Sequence, residues 1–211
     1  MFFPDDISRI RGFIGHFGLS DWWIKTFTED EKQYLIERYR RFHPRLGADS
    51  LIQGDALGAN HYTSSSYLNF VTSIFKRPNE NAIARKIARK AVELAKEPFE
   101  LHEALKWTII HNYKVRDKEL GALALVISAC KRQIQNTPGY IVEFRKKYPN
   151  LSFRDHEGYT YLVKILEKQK NYLEAIRLTE EAKQQGWKGD WEKIIERCQI
   201  RVKKHENAHE F

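Results

Sequence analysis

Apolar residues recur close to every 3.6 positions along almost the whole chain, and prolines and glycines interrupt that rhythm again and again. An apolar stripe of that period is one face of a helix, buried against other helices or against a sheet. The alternation expected of half-buried strands joined by hairpin turns does not occur. The expected fold class is therefore all-α, with helices near 64–76, 80–96, 99–114, 118–136, 138–148, 157–169, 172–185 and 190–204. Pro78, Pro98, Pro138, Pro149, Gly186 and Gly189 fall at the expected breaks, and Asn171 and Asp190 are suited to N-capping. Connections this short favour antiparallel neighbours.

The N-terminal part is expected to supply three further helices. Thr28-Glu29-Asp30-Glu31 reads as a capping box, after which Leu35, Tyr39 and Phe42 share one face. Arg40, Arg41 and His43 suit the negative end of that helix dipole, and Pro44 discourages continuation. The same capping accounts for Asp30-Glu31-Lys32, which superficially has the acidic-Lys end of a nuclease motif. Residues 44–63, with Gly47, Gly54 and Gly58 and no sustained apolar face, read as a linker or loop. Their glycines do not form a phosphate-binding GxxxxGK motif. The expected organisation is an N-terminal helical segment over 1–43, a linker over 44–63 and a repeat-like domain over 64–211. Phe13, Phe17, Trp22, Trp23 and Phe27 crowd around Gly15 and Gly18, as core packing or, where exposed, as an anchor for a partner.

Composition narrows the function classes. In 211 residues, 42% hydrophobic and 13% aromatic content can fill a core, which argues against global disorder. Lys and Arg number 36 against 28 for Asp and Glu, a formal charge of +8 with an isoelectric point near 9.4, so an acidic partner is permitted. Cys130 and Cys198 lack CxxC spacing and sit in apolar helical patterns, as reduced, buried thiols do. The opening Met1-Phe2-Phe3-Pro4-Asp5-Asp6 has no secretory pattern, and the apolar run Ala122 to Ile127 falls far short of the roughly 20 residues a membrane span needs. A cytoplasmic protein without a membrane role is expected. No HExxH motif or zinc-type Cys/His spacing occurs, so no metal or cofactor is expected, and His205 and His209, four apart, are read as part of a tail.

The segment Asn171 to Trp187, NYLEAIRLTEEAKQQGW, resembles the turn and second helix of a tetratricopeptide repeat. Ala175 and Ala182 stand seven apart, so both lie on one helix face and let a first helix approach closely. Tyr159 and Leu162 fall at the large and apolar positions of that first helix, whereas Val163, Leu166 and Trp187 depart from the family pattern. Ala122 and Ala129, preceded by Ile109 and Tyr113, repeat the spacing 53 residues earlier, and Ala84 and Ala91 echo it with Leu68, Val71 and Phe75. The resemblance implies a short superhelix of stacked hairpins over about 64–204, with an extra helix near 138–148 and an irregular helical bundle as the alternative. Asp190 to Lys204 would then be a capping helix, Ile194 and Ile195 inward and Glu192, Lys193, Lys203 and Lys204 in water. Trp187 and Trp191 would close the core.

What the resemblance implies about function is a non-enzymatic scaffold or adaptor holding a protein or peptide on the first helices of its hairpins. Lys106, Asn112, Lys164 and Lys168 are the expected contact residues, and an acidic peptide or terminal carboxylate the expected ligand. A second reading is nucleic-acid binding through Arg85, Lys86, Arg89 and Lys90, with Lys131-Arg132, Arg145-Lys146-Lys147 and Lys203-Lys204 downstream, diluted by Glu93, Glu97, Glu143 and Glu174. A third is metal-independent RNA cleavage. Arg38 and His43, in an Arg-x4-His spacing that Arg11 and His16 share, are similar to the short motif of HEPN-type ribonucleases, whose histidine assists proton transfer.

Overall fold

The computed structural model describes residues 10–42 and 48–207, and among them every regular element is helical. The chain separates into two compact units, Met1–Lys96 and Glu97–Phe211. The unit boundary follows the helix ending at Leu94, while residues 48–63 of the stretch expected to act as a linker pack within the first unit, residues 44–47 lying outside the described residues.

In the first unit α1 spans Gly12–His16, α2 Ser20–Thr26, α3 Glu29–Phe42, α4 Ser64–Ser73 and α5 Asn81–Leu94. The capping box at the start of α3 forms in both directions, Thr28 N donating to Glu31 Oε2 at 3.0 Å and Glu31 N to Thr28 Oγ1 at 3.3 Å. Leu35, Ile36 and Tyr39 are buried, but Phe42 is 48% exposed: as the last residue of α3 it leaves the core and lies edge-on to Phe70. Residues 48–63 carry two short 3-10 turns and bury Leu51, Ile52 and Ala59. They are tied to α1 by Arg11 N donating to Ile52 O and Gly12 N to Gly54 O. Gly12 is required there, because its φ is +56° and a Cβ would collide with the Ser50 carbonyl. Phe13 stacks on Tyr67 at 4.7 Å, and Phe13, Trp23 and Phe27 are buried while Phe17 and Trp22 are half-buried, so most of the aromatic cluster is core.

In the second unit α6 spans Pro98–Tyr113, α7 Ala122–Lys147, α8 Glu157–Lys168, α9 Tyr172–Gln184 and α10 Trp191–Asn207. The break expected at Pro138 is absent, and α7 runs through it as one helix. Pro138 is solvent-exposed, so the carbonyl its ring leaves without an amide donor is not forced into a dry core. The next residue, Gly139, lets Pro98 of α6 approach closely, which holds both halves of α7 against α6.

Within the second unit, α6 with α7 and α8 with α9 pack as antiparallel pairs. The start of α6 meets the later part of α7, where Asn136 Nδ2 donates to Pro98 O at 2.7 Å and Phe99 N to Glu143 Oε2 at 2.6 Å. The start of α8 meets the end of α9, where Tyr159 donates to Glu181 at 2.6 Å. Ala122, Ala129, Ala175 and Ala182 are buried in these seams, as are Ala84 and Ala91 in the first unit. In addition α6 lies along α8, α7 on α8, and α9 on α10. Trp187 and Trp191 are buried, Trp191 Nε1 donating to Trp187 O. Ile194 and Ile195 are half-buried, whereas Glu192, Lys193, Lys203 and Lys204 are exposed.

Candidate functional site

A polar layer buried between α6, α7 and α8 decides how α8 lies beside α6. Gln133 of α7 spans both helices: its amide nitrogen donates to His102 O at 2.9 Å and its oxygen accepts from Gly158 N at 2.6 Å. Gly158 must lack a Cβ, which would sit within 3.0 Å of Gln133, the His156 ring and the Cys130 carbonyl. His156 caps α8, its Nδ1 accepting from Tyr159 N at 3.3 Å. Thr137 donates to Gln133 O, so its oxygen accepts from His156 Nε2–H at 3.0 Å. Those two bonds select one neutral tautomer.

Burial drives the His156 pKa down to about 3. His102 is also lowered, by burial first, then by His156 and Lys106. Its Nδ1 has no hydrogen-bond partner among the described residues, so a second ring proton would be buried unpaired. These histidines are core groups: His102 stacks on Tyr140 and Trp187, and His156 meets Trp187 edge-to-face.

The layer turns one face of each first helix outward. On α6 this face holds Glu103, Lys106, Ile110 and Tyr113, and on α8 Glu157, Tyr161, Lys164 and Lys168, spaced three or four apart. Lys106 lies 4.0 Å from Glu157 and Tyr113 stacks edge-to-face on Tyr161 at 4.5 Å, so α6 and α8 run parallel along this face. Its two ends differ electrically. At one end Lys106 is neutralised by Glu157 and by Glu103 at 3.7 Å. There burial pushes the Glu157 carboxyl up to about 7, with Lys106 pulling it down and Glu103 and Asp155 adding to the rise. At the other end Lys164 and Lys168 are exposed and have no carboxylate partner among the described residues. Lys164 lies 5.2 Å above the Tyr161 ring, and the Arg116 guanidinium 3.9 Å above Tyr113.

The structure thus brings Lys106, Lys164 and Lys168 to one face and leaves Asn112 out of it. Asn112 is 5% exposed and its amide donates to Thr108 O. Sequence reasoning did not single out Glu103, Arg116, Glu157 or Tyr161 as site residues. The i, i+4 run 157, 161, 164–168 on a first helix was the signal that could have found the α8 members.

The basic residues of α5 are divided. Lys86 is held by Glu31 at 2.6 Å and Thr26 O, and lies over Phe27. Lys90 pairs with Glu93, Arg85 is half-buried and Arg89 is exposed. Downstream, Arg145 bonds Leu151 O and covers Phe153, and Lys147 covers Phe99.

Arg38 is committed to structure. Its Nη2 donates to Ile74 O at 2.9 Å and its Nε lies 3.1 Å from Glu80 Oε1. His43, and the side chains of His205 and His209, lie outside the described residues. Among the described residues no three metal-ligating side chains converge, and no helix is long and apolar enough to cross a membrane. In comparisons with known proteins, no family model, curated protein or solved structure matches the chain.

Proposed function

We propose that this protein is a non-enzymatic, tetratricopeptide-like scaffold that binds an acidic segment of a protein partner along the face shared by α6 and α8. The observation that carries this reading is the placement of Lys164 and Lys168, two exposed cations without carboxylate partners among the described residues, on a face with half-exposed aromatic rings. An acidic segment gains charge complementarity there without displacing an internal ion pair, and tyrosines provide contact area at low entropic cost. The hydrogen bonds of Gln133 and His156 tie α6, α7 and α8 together beneath the face, and a face held in place loses less freedom on binding. A cytoplasmic setting accords with this role.

Fluorescence anisotropy with labelled polyglutamate across a salt series tests the proposal, with RNA and DNA followed on gels in parallel. The expected result is polyglutamate binding that Lys164→Glu weakens far more than Lys146→Glu, a charge reversal of an exposed lysine on α7. Equal weakening by both would reduce the effect to net charge and remove the site. Nucleic-acid binding with a steep salt dependence, in the absence of polyglutamate binding, would move the function to the basic helix faces around Arg89. RNA loss abolished by His43→Ala would move it to cleavage.

A further inference from the structure

Tyr113 closes α6 and Tyr161 lies one turn inside α8, their ring centres 4.5 Å apart at 64° and both half-buried. Neither phenol hydroxyl bonds to another described residue. Arg116 lies flat on Tyr113 and is held from two sides, Nη1 donating to Tyr113 O at 2.7 Å and Nη2 lying 2.9 Å from Asp117. A guanidinium pinned in this way has little side-chain freedom left to lose, and its outer face is a flat cationic platform on which a second aromatic ring stacks well. Its side chain remains 22% exposed. On the other side of the tyrosine pair stand Lys164, 5.2 Å from the Tyr161 ring centre, and Lys168 one turn further along α8. The strip therefore alternates cation, ring, ring, cation, and the lysine end has no carboxylate of its own among the described residues.

We propose that the strip formed by Arg116, Tyr113, Tyr161 and Lys164 is a seat for an aromatic side chain within an acidic segment, the ring against Arg116 and the tyrosine pair and the flanking carboxylates on Lys164 and Lys168. This inference rests on the acidic-segment reading above and names the side chain that segment carries. Aliphatic acidic sequences meet the charge requirement but leave the rings and the guanidinium face in water. An aromatic residue covers them and adds ring–ring and cation–π contact.

The test compares a random glutamate–tyrosine copolymer with polyglutamate of matched length, both labelled and measured by anisotropy. The copolymer is expected to bind about three- to tenfold more tightly, the range that one aromatic contact supports. Tyr113→Ala, checked for helicity by circular dichroism, is expected to abolish that difference, and Lys164→Glu to weaken both polymers. Nitration of the wild-type protein by tetranitromethane, read by mass spectrometry, gives an answer that does not depend on any variant folding. Tyr113 and Tyr161 should be protected by the copolymer and not by polyglutamate, with Tyr62, 39% exposed in the first unit, as the unprotected reference. Equal affinities without protection would overturn the aromatic seat and leave the acidic-segment scaffold standing. Failure of both polymers to bind would overturn both.

Discussion

The two compact units each bury polar groups, but with opposite electrical character. In the first, Glu80 is fully buried and ionised: it accepts from Tyr34 at 2.7 Å and from the Arg77 and Lys76 amides at 2.7 and 2.8 Å, with Arg38 beside it. Burial raises its pKa, yet the Tyr34 phenol, the two amides and Arg38 together hold the carboxyl below its usual range. In the second unit His102 and His156 are buried and neutral, and the network around His156 leaves no position for an added proton. One unit is thus built around a charge supplied with donors, the other around rings that must remain uncharged. Acid acts on both, but it reaches them in different pH windows.

The largest effect expected on this comparison comes from Trp187, which is 4% exposed and packs against His102, Tyr140, Phe153 and His156. Trp187→Ala should cost about 3–5 kcal/mol of stability. Hydrogen exchange should show lost protection within 97–207; equal loss within 10–96 would mean that the units do not unfold separately. Glu80→Gln is the counterpart in the first unit, because it leaves Arg38 beside a neutral amide. The side chain of Arg38 is 21% exposed, so solvent offsets part of the loss, and about 2–3 kcal/mol by urea unfolding is expected.

The pH dependence sharpens the contrast. Unfolded imidazoles take up protons below about 6.5, whereas the folded His156 does so only near 3, so the unfolded state binds more protons in between and stability falls with pH. Glu157 acts in the other direction: raised from 4.5 to about 7, it stabilises the fold at low pH and that contribution is lost as pH rises through 7. Between 4.5 and 6.5 His156 and Glu157 offset each other, so the lowered His102 leaves a net loss of stability on acidification. Glu80 has a lowered pKa, so its contribution is present above 4.5 and lost only below it. Hydrogen exchange at pH 7 and pH 5 should deprotect the second unit first, and His156→Asn, which keeps a short acceptor for the cap, should flatten that response. Simultaneous deprotection would refute the assignment of the windows. The smallest effect is that of Lys164→Glu, which should change stability by no more than about 0.5 kcal/mol, since the side chain is exposed and unpaired among the described residues.

Much of the helical layout was legible because it depends on local signals. The capping box at Thr28, the N-cap at Asn171 and the apolar rhythm of α8 and α9 act within a few residues of themselves, and the structure realises each. Pro138 misled because its local cost is real, but its exposure and the approach of Pro98 to Gly139 outweigh it, and neither is a property of that segment alone. Residues 44–63 lacked periodicity and so resembled a linker. Leu51 and Ile52 nevertheless found burial beside α1 and α3, which no local pattern announces.

The candidate site divides along the same line. Spacing alone placed Lys164 and Lys168 on one helix face, and helical geometry guarantees that much. The sequence equally determined that the chain is helical, basic and furnished with small residues where helices meet. Which lysine is neutralised, however, depended on Glu157 arriving beside Lys106 from a different helix, and Asn112 turned inward because the rotation of α6 buried it. Arg38 looked like a candidate for chemistry until Glu80, distant in sequence, claimed it. Local backbone preferences act over three or four residues and can be read along a chain; the partner of a charge is chosen by packing between helices, and only the folded structure decides it.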